Sequence, residues 1–484
     1  MCLLTVLASV LSSERPTNMV IGTQMIYGPS DHVYNFTKAD PLTEQSRQIE
    51  ALGGTQLKIR LAPGTTCSGY RLDCGSNVTS LTALAKVPAV ATALALPSMT
   101  YYHVWTYSFA NPKPLDQDWT AEMLSAEYNE TLGLATHLLT VHDGTKKVFM
   151  LGNWEGDWML MGSSGCRTSS GKFNMSCDPS PPVMHRMVQW AQTRQRAISD
   201  ARTAVQSSAS VLYYVEMNLG PEAVAGKPGV TNDIIGAVGP DLVSYSSYSS
   251  TNAYKTTANI TATDEVLFTV LDYVEAKLPP PPPYVATAFG GEVRRVFIGE
   301  YGVGPKTLDD ASVVQFVTRV ASAALRWGMP FVLYWELYDN DSTAPIIPRS
   351  GAKTVLWHWF GSYYAAAEAF VATHGGAPSA SAFGKWAAGY FAVPAPHGSC
   401  TFEQGVDFPT SEGYRAVAAS QQDCCDACAA NPGCAAGVHS GGACYLKYSA
   451  DTPQKGGGGV ACIKKTSRAA RAVEGVAASV VEEV

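Results

Sequence analysis

Two glutamates occur where strand-like apolar runs of the sequence end, and together they could perform acid and nucleophile chemistry. Glu155 follows the run KKVFMLGNW (146–154), and Glu300 lies within RRVFIGEYGV (294–303). A charge within such apolar sequence costs roughly several kcal/mol unless it is partnered or solvated. Cleavage of a glycosidic bond needs one protonated carboxyl for the leaving oxygen and one ionised carboxylate for the sugar carbon. We therefore take Glu155 and Glu300 as the candidate catalytic pair.

Further polar and aromatic residues at or near the ends of such runs form a candidate substrate-binding set. Flat apolar rings suit stacking on sugars, although an ordinary core uses such rings as well. The set consists of Arg60, His103, Asn153, Trp154, Tyr245, Tyr248, Tyr301 and Trp335. We expect a raised pKa for Glu155 and a lower one for Glu300, which Arg60 and a tyrosine of the sixth run would keep ionised. His103 has the alternative role of a buried core histidine.

The other carboxylates at the run ends have structural interpretations. Glu216, Glu336 and Asp339 are typical of ion pairs at loop starts, and Asp157 is typical of a residue that caps a loop. The ends contain no cluster of His and Asp suited to a metal, and the predicted chemistry needs neither a metal nor a cofactor.

Eight apolar runs with amphipathic stretches between them must position these residues. The runs are 19–28, 55–63, 99–109, 146–154, 210–219, 241–249, 294–303 and 329–338. Near-continuous apolar strands that alternate with helices predict a parallel sheet covered by helices. Eight such units are what a closed (β/α)8 TIM barrel requires, with its chemistry at the carboxyl ends of the strands. The alternative is a doubly wound open sheet, which the lack of a Gly-rich turn after the first run disfavours.

The barrel region resembles the clan A glycoside hydrolases, and most nearly the family 5 cellulase-like and mannanase-like enzymes. The resemblance rests on GNWEGDW at the fourth run and IGEYG at the seventh, with the candidate binding residues in the expected order. It covers about three quarters of the chain and implies that Glu155 is the acid/base and Glu300 the nucleophile of a retaining mechanism. One departure concerns Trp154, which separates Asn153 from Glu155 where the family usually has Asn directly before the acid/base.

The chain after the barrel divides into a linker, a cysteine-rich module and a tail. We expect the barrel over 17–373, a linker over 374–398, the module over 399–463 and a tail over 464–484. The module motif CCDACAANPGCAAGV, followed by CYLK, resembles a PAN/apple-type domain, a small disulfide-stapled fold that binds proteins or carbohydrates.

The cysteines of the chain are expected to form disulfides. Two local bridges, Cys67–Cys74 and Cys166–Cys177, would each fix a loop after a barrel strand. For the module, the resemblance implies Cys400–Cys462, Cys428–Cys434, and Cys444 with either Cys424 or Cys425. An odd count of seven leaves one thiol free or paired elsewhere. The alternative is a zinc site from Cys425, Cys428, Cys434 and His439.

Compartment and partners follow from a few further features. Residues 1–16 resemble a signal peptide or its remnant, and the dense cysteines indicate an oxidising compartment. Six Asn-x-Ser/Thr sequons support secretion and glycosylation; they begin at Asn35, Asn77, Asn129, Asn174, Asn259 and Asn340. A net charge of −7 disfavours nucleic acid as a partner. After the N-terminus, no apolar stretch has the roughly 18 residues of a membrane span.

These features predict a secreted retaining glycoside hydrolase that acts on β-linked polysaccharides or oligosaccharides. The terminal module would bind a glycan or protein ligand. The alternative is a catalytically inactive barrel that serves as a carbohydrate-binding or adhesion protein.

Overall fold

The computed structural model describes most of the predicted barrel and much of the terminal module. The described residues are 17–26, 34–257, 259–304, 307–338, 344–374, 378–391, 400–408, 413–416, 420–421, 424–425, 428, 434–440, 443–447 and 453–464. The expected signal segment 1–16, the tail 465–484, Asp339 and the sequon at Asn340 lie outside them.

Eight parallel strands form a nearly closed barrel, which confirms the predicted (β/α)8 fold. The strands are β1 (Ile21–Thr23), β2 (Gln56–Leu61), β3 (Tyr101–Thr106), β4 (Val148–Gly152), β5 (Ser210–Met217), β6 (Leu242–Ser246), β7 (Val296–Tyr301) and β8 (Val332–Tyr334). Each lies inside one of the eight predicted runs. They pair in the order β1-β8-β7-β6-β5-β4-β3-β2. Between β1 and β2, the Met25 N–H donates to the Lys58 carbonyl at 3.3 Å.

Fifteen helices are described around and after the barrel. They are α1 (Pro41–Leu52), α2 (Thr65–Gly69), α3 (Leu81–Ala85), α4 (Pro88–Ala95), α5 (Ala121–Val141), α6 (Gly156–Ser163), α7 (Pro181–Ala204), α8 (Gly220–Val224), α9 (Ile235–Val238), α10 (Tyr248–Thr251), α11 (Ile260–Glu275), α12 (Pro283–Phe289), α13 (Asp310–Trp327), α14 (Val355–Thr373) and α15 (Ala380–Phe391). Several begin with a side-chain cap; Thr120 caps α5 and Asp309 caps α13. Strand alternation separates an outer core beneath the helices from a smaller core inside the barrel.

The stretch 374–398 is not wholly a linker, because it contains α15. Phe383 and Phe391 of this helix are buried, and the Phe391 ring stacks on Trp359 of α14 at 5.4 Å between centroids. Trp386 stacks on Phe370 of α14 in the same way, at 4.9 Å. The aromatic residues of α15 therefore pack against α14, and the barrel layer extends to residue 391.

The terminal module contains a five-stranded antiparallel sheet. Its strands are β9 (Cys400–Asp407), β10 (Gly413–Ala416), β11 (Ala436–Ser440), β12 (Ala443–Lys447) and β13 (Gln454–Lys464), in the order β10-β12-β11-β13-β9. A small apolar cluster that includes Val406, Phe408 and Val438 fills one face. The region is thus a small disulfide-rich unit, as predicted.

Five disulfides cross-link the described part of the chain. The loop bridges Cys67–Cys74 and Cys166–Cys177 are confirmed, as is Cys428–Cys434 in the module. Cys444 pairs with Cys424, one of its two expected partners.

The expected Cys400–Cys462 bridge is wrong, because Cys425 pairs with Cys462. The resemblance to a PAN/apple-type domain implied a bridge between the two ends of the module, whereas the fold brings Cys425 against β13. The zinc alternative is also wrong, since Cys425, Cys428 and Cys434 are all consumed by disulfides. Among the described residues, no helix combines the length and apolarity needed to cross a bilayer.

Candidate active site

Glu155 and Glu300 both lie at the carboxyl end of the barrel. Glu155 directly precedes α6 in the loop after β4, and Glu300 is the penultimate residue of β7. Both side chains are largely buried, with 9% and 3% of the residue surface exposed. The charge of Glu300 raises the pKa of Glu155, so the two carboxyl groups lie within electrostatic range of each other.

Lys58, in the middle of β2, connects the carboxylates of this end. Its Nζ donates to Glu300 Oε1 at 3.1 Å, to the Gly299 carbonyl at 3.0 Å and to Glu216 Oε2 at 3.4 Å. Lys58 points into the barrel, and its Nζ also lies 4.4 Å from the centre of the Trp105 ring. The cation that neutralises Glu300 is therefore Lys58.

Glu216 of β5 is the third carboxylate of the cluster and has no exposed surface. Its Oε1 accepts the backbone N–H of Glu155 at 3.0 Å, and its Oε2 accepts the Ser244 hydroxyl at 2.7 Å. The predicted ion pair of Glu216 is thus formed with Lys58, inside the site rather than at a loop start.

Burial sets the protonation of the pair. Burial raises the pKa of Glu155 well above its ordinary value, and the charges of Glu300 and Glu216 raise that pKa further. Burial also raises the pKa of Glu300 to about 7, against the lowering effect of Lys58. We expected Arg60 and a tyrosine to keep Glu300 ionised, but one ammonium shared with Glu216 does not offset the burial of Glu300. Lys58 touches Glu300 directly, so Glu155 is the carboxyl that keeps its proton to higher pH.

Two groups, at the end of β6 and just after it, complete the surroundings of Glu300. The Tyr248 hydroxyl donates to Glu300 Oε2 at 3.4 Å. Of the two candidate tyrosines of the sixth run, Tyr248 is therefore the one that contacts Glu300. Ser246 is the last residue of β6, and its hydroxyl lowers the pKa of both Glu155 and Glu300.

A cleft of about 570 Å³ opens beside the cluster. Its polar and aromatic lining comprises Arg60, Trp105, Tyr107, Lys113, Trp154 and Trp335. Trp105 and Trp335 stack at 6.1 Å, and the Tyr107 hydroxyl accepts the Trp154 N–H at 3.0 Å. Neither Glu155 nor Glu300 lines the cleft; its wall approaches them through Trp105, which contacts Lys58, and through Trp154, the chain neighbour of Glu155. Its volume suits a small ligand, and its rings suit sugar faces.

Four predicted binding residues are brought to this cleft or to Glu300. Trp154 and Trp335 line the cleft, and Tyr248 contacts Glu300. Arg60 lies on the cleft wall, 5.8 Å from the Trp105 ring centre, and the expected contact to Glu300 is made by Lys58 instead.

The remaining predicted residues lie elsewhere. Asn153 is buried, and its amide donates to the Trp154 carbonyl at 2.9 Å. His103 is a core histidine inside the barrel, bonded to Gln56 and packed edge-on against Phe331.

Tyr245 and Tyr301 also lie away from the carboxylates. Both belong to the outer core beneath the helices: the Tyr245 hydroxyl bonds Ser250 at 2.6 Å, and the Tyr301 ring packs on Phe316. Strand alternation points their neighbours Ser246 and Glu300 inward instead. Asp157 accepts three backbone N–H groups, from Asn218, Leu219 and Val230, and so caps loops as predicted.

Lys58 is the functional residue that sequence reasoning missed. It lies three residues before the end of β2, whereas the predicted site residues lie at or near strand ends. A signal was present, because polar Gln56, Lys58 and Arg60 alternate with apolar Leu57 and Ile59 in β2. In a strand buried on both faces, such alternation indicates a polar row that points into the barrel. Among the described residues, no group of three or more His, Cys, Asp or Glu side chains is arranged to hold a metal ion.

Comparison with known proteins finds similarity at the level of solved structures. No family model and no curated protein matches the chain. An exo-β-1,4-mannosidase from Opitutaceae bacterium strain TAV5 is 12% identical, with a TM-score of 0.46 over 72% of this chain and 59% of that chain. A GH5_18 protein from Bifidobacterium longum subsp. infantis is 14% identical, with a TM-score of 0.46 over 72% and 79%.

A mutant β-glucuronidase from Bacteroides uniformis is 8% identical, with a TM-score of 0.43 over 72% of this chain and 35% of that chain. The chain thus spans about a third of the glucuronidase and about three fifths of the mannosidase. With TM-scores below 0.5, these likenesses carry no conclusion about the activity of this chain.

Proposed function

We propose that this chain is a secreted retaining glycoside hydrolase that cleaves β-linked glycans. The observation that carries the proposal is the buried carboxyl pair, Glu155 and Glu300, in which Lys58 contacts Glu300 directly. Such an arrangement favours one protonated and one ionised carboxyl, the two states that the reaction needs.

In the first step, Glu300 is the nucleophile. Its carboxylate attacks the anomeric carbon, while the Glu155 carboxyl donates its proton to the leaving glycosidic oxygen. Lys58 and Tyr248 favour the ionised form of Glu300 before attack. The products of this step are the released alcohol and a glycosyl ester on Glu300.

In the second step, the ionised Glu155 takes a proton from water, and that water attacks the anomeric carbon of the ester. Glu300 leaves as a carboxylate, and the sugar keeps its original anomeric configuration. The mechanism requires carboxyl groups about 5–5.5 Å apart, which stays a prediction for Glu155 and Glu300. Substrate would stack on the Trp105 and Trp335 side of the cleft.

Secretion and the terminal module belong to the same proposal. Five disulfides are typical of a protein from an oxidising compartment. The antiparallel sheet with Cys428–Cys434 and Cys424–Cys444 is what we infer to be a PAN/apple-like binding module. Its ligand would be a glycan or a protein that brings the barrel to its substrate.

A panel of aryl β-glycosides of glucose, mannose and xylose tests the activity. We expect turnover of at least one, with the β-anomer as the first product in proton NMR. A 2-deoxy-2-fluoro analogue of the active sugar should trap a covalent adduct, which peptide mass spectrometry should locate on Glu300.

Glu300→Gln should abolish both turnover and trapping. Glu292→Gln, the same change at an exposed glutamate, should leave both unchanged. Binding of glycans without turnover of any substrate would instead support the inactive carbohydrate-binding barrel, and an α-anomer as first product would contradict the retaining mechanism.

A further inference from the structure

Glu216 occupies an unusual place among the carboxylates, because each of its oxygens contacts a different part of the site. Oε1 accepts the backbone N–H of Glu155, and Oε2 accepts both the Ser244 hydroxyl and the Lys58 ammonium. These partners lie on β2, on β6 and after β4, so one side chain on β5 ties together three other segments of the barrel.

The two contacts act on the two members of the proposed catalytic pair. The Glu155 N–H fixes the backbone from which the Glu155 side chain projects. Lys58 is shared between Glu216 Oε2 and Glu300 Oε1, at 3.4 and 3.1 Å, so the position of Glu216 sets where the cation lies relative to Glu300. Glu216 has no exposed surface, whereas Glu155 and Glu300 each keep a small exposed fraction, so Glu216 acts through its neighbours and not by contact with substrate.

We propose that Glu216 is a positioning residue that fixes Glu155 through its backbone and Glu300 through Lys58. This inference rests on the proposed function and adds a residue to it. Displacement of a reacting group by about 1 Å costs on the order of 10²-fold in rate, so the two contacts are sufficient to matter for catalysis.

Glu216 acts on both carboxyl groups through its charge, in addition to its effect on their position. It raises the pKa of Glu155 and of Glu300, while Lys58 lowers both. Other titratable groups near this cluster are Tyr107, Tyr214 and Tyr248, together with His103 near Lys58 and Glu336 near Tyr248. Removal of the Glu216 charge therefore moves both limbs of a pH–rate profile to lower pH.

Two substitutions separate position from charge, each measured on the active aryl glycoside from pH 4 to 10. Glu216→Gln keeps an oxygen acceptor for the Glu155 N–H and removes the charge, so both limbs of kcat/KM should move to lower pH. Glu216→Asp keeps the charge but shortens the reach, so kcat should fall about 10- to 100-fold with little change in KM. Glu292→Gln and Glu292→Asp are matched controls at an exposed site and should behave as wild type.

A milder substitution is available if thermal melting shows that neither Glu216 variant folds. Ser244→Ala removes the 2.7 Å hydrogen bond that orients Glu216, and should lower kcat about tenfold without raising KM. A folded variant with the wild-type pH profile, kcat and KM overturns the role of Glu216 and leaves the proposed function intact. Absence of turnover by the wild type on the whole panel overturns the proposed function and this role with it.

Discussion

Lys58 Nζ lies 3.1 Å from Glu300 Oε1, in a contact that joins the middle of β2 to the end of β7 across the barrel interior. Both side chains are almost fully buried, so water screens their attraction little. The same ammonium contacts Glu216, which leaves one cation among three acidic groups when Glu155 is included. Such a cluster is most stable when it holds a proton, and Glu155 is the group that holds it.

Replacement of Lys58 by methionine should lower activity at neutral pH. Without the cation, the pKa of Glu300 rises above about 7, so a smaller fraction of the nucleophile is ionised. We expect kcat/KM at pH 7 to fall about 10²-fold and the acidic limb of the profile to move to higher pH, opposite to Glu216→Gln. Lys172→Met, at an exposed loop position, is the control. An unmoved acidic limb in a folded Lys58→Met protein would contradict the assignment of Lys58.

The fold could be predicted because its signal is distributed over the whole chain. Each of the eight barrel strands lies within a predicted apolar run, and a one-residue error in a run does not change the topology. The exception is 374–398, where Gly, Ala, Pro and Ser suggested a linker. The aromatic residues of that stretch, including Phe383 and Trp386, form a helix whose stability comes from packing on α14, which composition does not reveal.

The site could be predicted less completely, because it depends on which face each side chain takes. Glu155 and Glu300 came from motifs, and both lie at the carboxyl end of the barrel. Tyr245 and Tyr301 lie at strand ends but point outward, and β7 shows a register shift between Ile298 and Tyr301 that no sequence pattern indicates. Lys58 reaches the strand-end carboxylates through its long side chain from the strand middle, so proximity in sequence to the strand end was the wrong criterion.

Stability should depend on pH through Glu300. Its pKa is about 7 in the folded protein against 4.5 ordinarily, so folding takes up a proton between these values. The folded state therefore loses about 3 kcal/mol as pH rises through that window, on the basis of 1.36 kcal/mol per pKa unit. The side chain in Glu300→Gln stays uncharged over this range. The melting temperature of the variant relative to wild type should therefore rise from pH 4.5 to pH 8. The melting temperature of Glu292→Gln should change with pH as that of wild type does. If the melting temperature of Glu300→Gln also changes in this way, Glu300 does not titrate in this window.

Glu155→Ala should distinguish substrates by their leaving group. A poor leaving group needs the proton of Glu155, so its kcat/KM should fall about 10²- to 10⁴-fold. A 2,4-dinitrophenyl glycoside needs no proton, so its glycosylation step should be nearly unchanged while hydrolysis of the ester slows. Azide should then restore turnover and give a β-glycosyl azide, which NMR identifies. Equal losses on both substrates, with no azide product, would assign Glu155 a role other than acid/base.

Truncation after residue 395 should keep the hydrolysis of small soluble substrates and abolish retention on a polymer or partner surface. The module has its own sheet, and three of the five disulfides, Cys424–Cys444, Cys425–Cys462 and Cys428–Cys434, lie within it. Reduction should unfold the module before the barrel, because a unit of about 65 residues has too small a core to fold without its staples.

Truncation after residue 378 is the informative comparison, because it also removes α15. Loss of the contacts that Phe391 makes with Trp359 and that Trp386 makes with Phe370 exposes these rings of α14, so the melting temperature should fall well below that of the 395 truncation. Circular dichroism and aryl glycoside turnover, measured on both truncated chains, check the two expectations together. If the 395 chain is folded but inactive, the module contributes to the active site; if the 378 chain is as stable as the 395 chain, α15 is not part of the barrel layer.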